Sequence, residues 1–338
     1  MKKGSFLPLR RSIILLAVFA LSMGAFGRAS AESVKFMLNW VPDGQQSAWF
    51  SAKEKGFYKK AGLDVTLMRG FGSAKTVKAV AGKAAEFGLA DAGEIIKGRA
   101  KDIAVRAIGV FYAKDLNVIY TLQGSGIQTP KDLEGRTIGA PVWSSLRTVF
   151  PLLAKVNKVN AAKVKWVSMP PSGMRPSLLA GKVDSIATFT ASDRILVEEA
   201  NKLGKKIGRI IFADWGVNLY SLVLTALDER IQNNPDQVRR FVHASIQGMA
   251  WAAKHPDQAV RILRKVYPQG THESELFKWK LAMNSMLTEG TMTHGIGYIN
   301  PGKMKFTRDA ILGGLGISKE VPVGDLYTNR FLPKGAKE

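Results

Sequence analysis

The chain has 338 residues, with 49 Lys and Arg against 27 Asp and Glu, four His and no Cys. An apolar fraction of 46% with 22% charged residues is ordinary globular composition, which excludes wholesale disorder; zero cysteine excludes disulfides, zinc–thiolate sites, iron–sulfur clusters and a cysteine nucleophile. The length points to two domains, because single cores split beyond roughly 250–300 residues, and the formal charge of +22 taken alone suggests a binder of nucleic acid or of a membrane surface.

Part of that charge sits in a leader. Residues 1–31 carry Lys2, Lys3, Arg10, Arg11 and Arg28 and no acid. A basic start, an apolar run from Ile13 to Leu21 and the small residues Ala29-Ser30-Ala31 are the three parts of a secretory signal peptide. The run is too short to span a bilayer, which takes about 20 apolar residues, and no cysteine follows it for a lipid anchor. The expected product is an exported, soluble chain that starts near Glu32 with a formal charge of +17, from 44 bases and 27 acids.

Beyond the leader, short apolar runs alternate with amphipathic stretches, the pattern of an α/β protein. Strands are predicted at Val34–Leu38, Leu63–Met68, Glu86–Ala90, Val105–Phe111 and Asn117–Leu122, then at Thr137–Ala140, Val164–Val167, Ser185–Phe189, Arg209–Ala213 and Leu219–Thr225. A first helix is predicted over Gln45–Ala61, ending at Gly62 in the left-handed conformation. A second begins at Ser73 as N-cap, with Val77, Val80 and Ala84 on one face. From about residue 233 the pattern is all helical. Asn234-Pro235 and His255-Pro256 each place a cap before a proline at the first helical position. A third helix of this half is predicted over about Glu273–Leu287, and a fourth from Asn300-Pro301, stopped by Gly313-Gly314.

Several ordered segments then resemble one family, the periplasmic substrate-binding proteins of ABC importers for nitrate, sulfonates and thiamine-precursor pyrimidines. Phe36-Met37-Leu38-Asn39-Trp40-Val41-Pro42-Asp43 is most similar to the pyrimidine-binding branch. Glu54-Lys55-Gly56-Phe57-Tyr58, Ala61-Gly62-Leu63-Asp64-Val65 and Ala85-Glu86-Phe87-Gly88-Leu89-Ala90-Asp91 follow in family order. Asp132–Gly139, Gly181–Ile186, Val238–Ala259 and Gly324–Tyr327 extend the likeness over nearly the whole mature chain. The resemblance implies a type II periplasmic binding protein fold: two α/β lobes flanking a ligand cleft, joined by two crossover strands acting as a hinge. The crossovers are expected near Asp115–Tyr120 and Asn218–Leu222, with lobe one at 32–116 plus 220–338 and lobe two at 117–219. Cofactor and metal are not expected. The implied partners are a small-molecule ligand and an inner-membrane ABC permease, with no nucleic acid; the protein is expected to be periplasmic and monomeric.

Strand ends and the helix starts after them would line the cleft. Trp40, just past the first strand, offers a flat face for a planar ring, against the alternative of packing under the lobe. Asp43 and Gln45 can bond a polar ring edge or cap the first helix, and Gln45 is the better ligand candidate. Ser73 opens a helix whose free N–H groups and dipole favour an anion or an acceptor atom, although a plain N-cap explains it too. Asp91 could accept from a ligand amino group, or cap the helix through Gly93-Glu94. In the second lobe, Trp143 with Ser144 and Ser145 supplies an aromatic face and hydroxyls at a helix start. Phe189, Trp215 and Tyr220 occupy further strand-end or crossover positions, with interior packing as the competing reading for Phe189 and Trp215. So many aromatics favour a planar nitrogen heterocycle, foremost a thiamine-precursor pyrimidine. A sulfonate, nitrate, a flavin or an aromatic carboxylate are the alternatives.

The residues speak against two other classes. The fungal synthases that make the thiamine pyrimidine resemble this family but use a histidine and a cysteine-rich motif, and this chain has no Cys. His243, His255, His272 and His294 all fall in the C-terminal helical half, and no HExxH, nucleophile elbow, P-loop or GxGxxG occurs. Against a nucleic-acid binder, Lys and Arg are spread along the chain, the pattern of a solvated face, and the leader directs the product out of the cell.

Overall fold

The computed structural model describes Met1, residues 31–190 and residues 193–333; the signal peptide expected over residues 1–31 lies outside the described residues except for its two ends. Short apolar runs bounded by turn residues place the strands where the pattern expects them, within a few residues. The first four are β1 (Glu32–Met37), β2 (Leu63–Met68), β3 (Phe87–Asp91) and β4 (Val105–Val110). Then come β5 (Asn117–Leu122), β6 (Thr137–Ala140), β7 (Lys165–Ser168), β8 (Ser185–Phe189), β9 (Ile207–Ile211) and β10 (Leu222–Leu227). They form two five-stranded sheets, ordered β2-β1-β3-β10-β4 and β7-β6-β8-β5-β9. In each sheet one strand runs against its neighbours: β10 is antiparallel to β3 and β4, and β5 is antiparallel to β8 and β9. These two are the strands entered after a crossing between sheets, so the fold is the two-lobe periplasmic binding protein fold with paired crossovers. The crossovers lie side by side, Phe111 and Tyr112 N–H donating to Leu222 O and Ser221 N–H donating to Tyr112 O.

The helices are α1 (Ser47–Glu54), α2 (Phe57–Lys60), α3 (Ser73–Ala81), α4 (Ala92–Arg99), α5 (Leu146–Val156), α6 (Pro171–Leu179) and α7 (Asp193–Lys202). The C-terminal half adds α8 (Asp228–Asn233), α9 (Pro235–Lys254), α10 (Pro256–Val266), α11 (His272–Met286), α12 (Glu289–His294) and α13 (Pro301–Leu315). One core packs α1 and α9 on the first sheet, where Phe87 stacks on Phe241 at 3.8 Å and Phe36 meets Trp49 edge-on at 5.4 Å. A second core is continuous across the lobes: Ile95, Val105 and Ile311 join Ile138, Val149 and Leu153 in one buried cluster. Polar groups cross there as well, since Lys97 Nζ of α4 donates to Thr148 Oγ1 of α5 at 2.8 Å.

Three sequence expectations are corrected. The helix expected over Gln45–Ala61 is a 3-10 turn (Gly44–Gln46), then α1, then α2, because Gly56 sits at φ +73° and breaks the run. Its predicted stop does occur, Gly62 having φ +70°. Gly313-Gly314 does not stop α13, which continues to Leu315 and ends at Gly316 with φ +65°. Gly314 is instead a contact residue: a Cβ there would stand 3.0 Å from Leu152 Cβ, so its bare backbone lets α13 approach α5. The strand expected at Arg209–Ala213 ends at Ile211, and Phe212–Trp215 forms a 3-10 turn.

Candidate functional site

The loops that follow β1 and β2 in one lobe face those that follow β6 and β8 in the other, the arrangement in which open α/β sheets form ligand crevices. Between them lies a cavity of about 70 Å³, lined from the first lobe by Asn39, Trp40, Asp43, Gln45, Gly72 and Ser73. From the second lobe come Pro141, Ser144, Ser145, Leu146, Met174, Ala187, Thr188 and Phe189. Asp43 is the one ionisable side chain among these, and among the described residues no Lys, Arg or His lines the cavity.

The first-lobe wall is a pair of backbone loops locked together. Gly70 N–H donates to Trp40 O at 3.0 Å and Gly72 N–H to Asn39 O at 2.7 Å. A Cβ on Gly70 would stand 2.1 Å from Leu38 O, so only glycine permits this approach. Thr76 Oγ1 adds a bond to Leu38 O at 2.9 Å. Trp40 is thereby held at the cavity without being sunk in the lobe, half-buried rather than core.

Asp43 and Gln45 form a connected polar corner. Asp43 Oδ1 accepts from Gln45 N–H at 3.0 Å and caps the 3-10 turn, and Lys278 Nζ lies 3.4 Å from Asp43 Oδ2. Gln45 Oε1 accepts from Tyr112 OH at 2.9 Å. The amide oxygen is therefore committed, and Nε2, 3.4 Å from Asp43 Oδ1, is the end with donor capacity toward a ligand. Two helix starts meet at the cavity. Lys75 and Thr76 N–H groups of α3 reach Gly72 O, and Arg147 and Thr148 N–H groups of α5 reach Ser144 O and Ser145 O. The first-turn N–H groups before them, at Ser73 and Ala74 and at Ser145 and Leu146, have no intrahelical acceptor. Gly72, at φ +100°, is the cap residue of α3, which corrects the expectation that Ser73 caps it; Ser145 caps α5 in sequence but its side chain makes no capping bond.

Of the residues singled out in the sequence, Trp40, Gln45, Ser73, Ser144, Ser145 and Phe189 line this cavity, and four others sit elsewhere. Asp91 is buried and caps α4, its Oδ1 accepting from Gly93 N–H at 2.9 Å and its Oδ2 from Ser221 Oγ at 3.1 Å. Trp143 packs over Gly72 of the other lobe. Trp215 packs partly on the shared core and its carbonyl accepts from Asn157 Nδ2 at 3.1 Å. Tyr220 hydroxyl accepts from Asn300 N–H at 2.8 Å beside the crossovers. Asn39, Leu146, Met174 and Thr188 were not singled out as ligand candidates. Asn39 and Thr188 are strand-end neighbours of residues that were, whereas Met174 belongs to a helix that only the Pro170-Pro171 pair announces. The four histidines are all absent from the lining, and among the described residues no cluster of three or more His, Asp or Glu could hold a metal.

The comparisons with known proteins agree with this architecture. The formylaminopyrimidine-binding protein of Halalkalibacterium halodurans is 24% identical over 78% of this chain and 79% of that protein. The 4-amino-5-hydroxymethyl-2-methylpyrimidine phosphate synthase THI13 of Saccharomyces cerevisiae is 23% identical over 68% of this chain and 70% of that protein. The crystal structure of the periplasmic aliphatic sulphonate binding protein SsuA from Escherichia coli superposes with a TM-score of 0.62 at 13% identity, covering 87% of this chain and 91% of that one. With residues 44–259 matching its family description, the chain belongs to the NMT1/THI5 like family, on the periplasmic binding protein fold.

Proposed function

We propose that this chain is the exported solute-binding component of an ABC importer, which captures a small, uncharged planar heterocycle of the thiamine-precursor pyrimidine class and passes it to an inner-membrane permease. It works as a monomer, with lobes at 32–116 plus 220–338 and at 117–219. The observation that carries the ligand class is the lining of the cleft: aromatic side chains from both lobes, amide, hydroxyl and backbone N–H donors, one carboxylate and no cation. A ring nitrogen or carbonyl would accept from the N–H groups at Ser73 and Ser145, an exocyclic amino group would donate toward Asp43, and Trp40 and Phe189 supply faces for stacking. The name of the Halalkalibacterium relative supports the same class.

A sulfonate or nitrate is the second reading, favoured by the two helix starts that converge on the cavity. Against it, an anion there would meet the Asp43 carboxylate and no lining ammonium or guanidinium, an expensive burial of charge. Binding rather than synthesis is supported by the composition of the cleft, which offers neither a histidine nor a cysteine as an acid–base or nucleophilic group. Mass spectrometry of the small molecule released from the purified, denatured protein tests the proposal, with calorimetry against pyrimidine and alkanesulfonate panels. A retained aminopyrimidine is expected. Retention of a sulfonate, with no heat from any pyrimidine, would replace the first reading by the second.

A further inference from the structure

Trp143 was expected to stack on the ligand, yet its ring is spent on the opposite lobe. A Cβ on Gly72 would lie 2.3 Å from Trp143 Cδ1 and 2.5 Å from Trp143 O, so the indole and its backbone press directly on the bare Cα of Gly72. Gly72 belongs to the loop between β2 and α3, and Trp143 to the loop between β6 and α5, one on each side of the cleft. The contact continues outward. Lys75 Nζ stands 4.6 Å above the Trp143 ring and 5.5 Å above the Phe71 ring, and the Arg69 guanidinium lies 4.8 Å from Phe71. Lys75 makes no salt bridge among the described residues, so the two rings are the partners its charge has; Phe71 itself is exposed.

We infer that Trp143, seated on Gly72 and held by the Lys75 ammonium, is an interlobe latch that keeps the ligand cleft closed. Gly72, Ser73, Ser144 and Ser145 all line the cavity, so the latch sits directly over the helix starts that would hold the ligand. Three features make it a latch rather than ordinary packing. Its two sides come from different lobes. Only glycine at position 72 leaves room for the indole, and its φ of +100° is one that L side chains rarely adopt. The cation–π contact requires both lobes in register, because Lys75 belongs to one lobe and Trp143 to the other. A contact made only in the closed state shifts the population toward that state, so the latch sets how slowly a bound molecule leaves without touching the molecule. The inference rests on the cleft being the binding site, but on no particular ligand.

The chain's lack of cysteine gives a direct test. Introduced cysteines at the exposed Lys78 of α3 and Lys182 of the second lobe carry spin labels that report lobe separation in the protein without added ligand. Trp143→Ala is expected to move the distance distribution to longer values and deplete the short component about tenfold. Lys75→Met, which keeps the aliphatic stem, is expected to do so about threefold, and Trp143→Phe to retain most of the short component. With 4-amino-5-hydroxymethyl-2-methylpyrimidine as probe, Trp143→Ala is expected to raise the dissociation rate about tenfold while the association rate stays within about twofold. Trp143 is half-exposed, and circular dichroism on each variant checks that the fold is intact. Coincident distance distributions for wild type and Trp143→Ala overturn the latch, whatever the ligand proves to be. Failure of the pyrimidine probe to bind, with the distances still shifted, overturns the ligand assignment and leaves the latch standing.

Discussion

Ser221 Oγ donates to Asp91 Oδ2 at 3.1 Å, which ties the end of β3 to the second crossover. The first crossover carries a matching carboxylate, Asp115, whose Oδ1 accepts from Asn117 N–H at 3.0 Å while its Oδ2 is buried with no partner among the described residues. Burial is the main cause that raises both acids, Asp91 to about 6 and Asp115 to about 7, and a neighbouring acid raises each further: Glu94 for Asp91, Asp91 for Asp115.

A pH dependence follows from that pair. An acid whose folded pKa exceeds its unfolded value binds more protons in the native state between the two values, so stability falls as pH rises through that window. Here the window runs from about 4 to about 7. Lowering the pH from 8 to 5 is therefore expected to stabilise the protein, by a few kcal/mol at most since each pKa unit is about 1.4 kcal/mol. The Lys303 ammonium near Asp115 works the other way and is itself lowered by burial. Urea midpoints at pH 5 and pH 8 measure the slope, and Asp115→Asn is expected to flatten it and to raise the midpoint at pH 8. Equal slopes for variant and wild type would remove Asp115 as the source.

Lys303 is the second device at the hinge. From α13 its Nζ donates to Ala113 O at 2.7 Å on the first crossover, approaches Asn218 Oδ1 at 3.4 Å on the second, and lies 5.2 Å from the Tyr220 ring centre. One side chain thus bonds both crossovers to the C-terminal helix. Lys303→Met keeps the stem and deletes the donors, and is expected to cost about 1 kcal/mol of stability, the scale of a charged hydrogen bond discounted for its partial exposure. A urea titration reads this, and an unchanged midpoint would make the strap decorative.

The same helix tests the interlobe packing. At Gly314, where the Leu152 backbone and Cβ lie 3.0–3.2 Å from an added Cβ, a valine has no room. Gly314→Val is expected to destabilise by about 1–3 kcal/mol, the range for overpacking. Gly316→Ala would be strained for a different reason, its φ of +65°, although nothing lies within 4 Å of its added Cβ. Thermal melts of the two variants read steric crowding and backbone strain separately, and Leu152→Ala is expected not to rescue Gly314→Val, because the atoms in the way are Leu152 N, Cα and Cβ, which alanine keeps.

What the sequence disclosed and what it hid divide along physical lines. Strand positions were legible because buried strands read as short apolar runs that end in turn residues, and all ten predicted strands have counterparts in the fold. The helix breaks were not, since Gly56 and Gly313 look alike in a helical pattern; one adopts a positive φ, the other sits within a helix. At the site, strand-end position located Trp40, Gln45, Ser73 and the Ser144-Ser145 pair, because topology alone brings strand ends to one crevice. It did not reveal the partners of Asp91 and Trp143, which depend on what a side chain meets in three dimensions: Ser221, 130 residues downstream, for the first, and Gly72 of the opposite lobe for the second. Met174 was missed because its helix, announced only by Pro170-Pro171, contributes one residue to the cavity.

The charge of the ligand can be read from a single substitution. Asp43 is the lone carboxylate lining the cavity, with Lys278 Nζ 3.4 Å from its Oδ2 on the side away from Gln45 N–H. Asp43→Asn preserves an acceptor for the Gln45 N–H and removes one negative charge. For an uncharged ring with an amino group, the variant loses a charged hydrogen bond, and affinity is expected to fall about tenfold, the scale of such a bond. For a sulfonate or nitrate, the same change removes a repulsion, and affinity is expected to rise. Trp40→Ala serves as the companion, expected to weaken a planar heterocycle by about tenfold through lost stacking and to leave nitrate nearly unaffected. Calorimetry on both variants therefore gives two opposed patterns: losses at both positions for the heterocycle, and a gain at Asp43 with indifference at Trp40 for the anion.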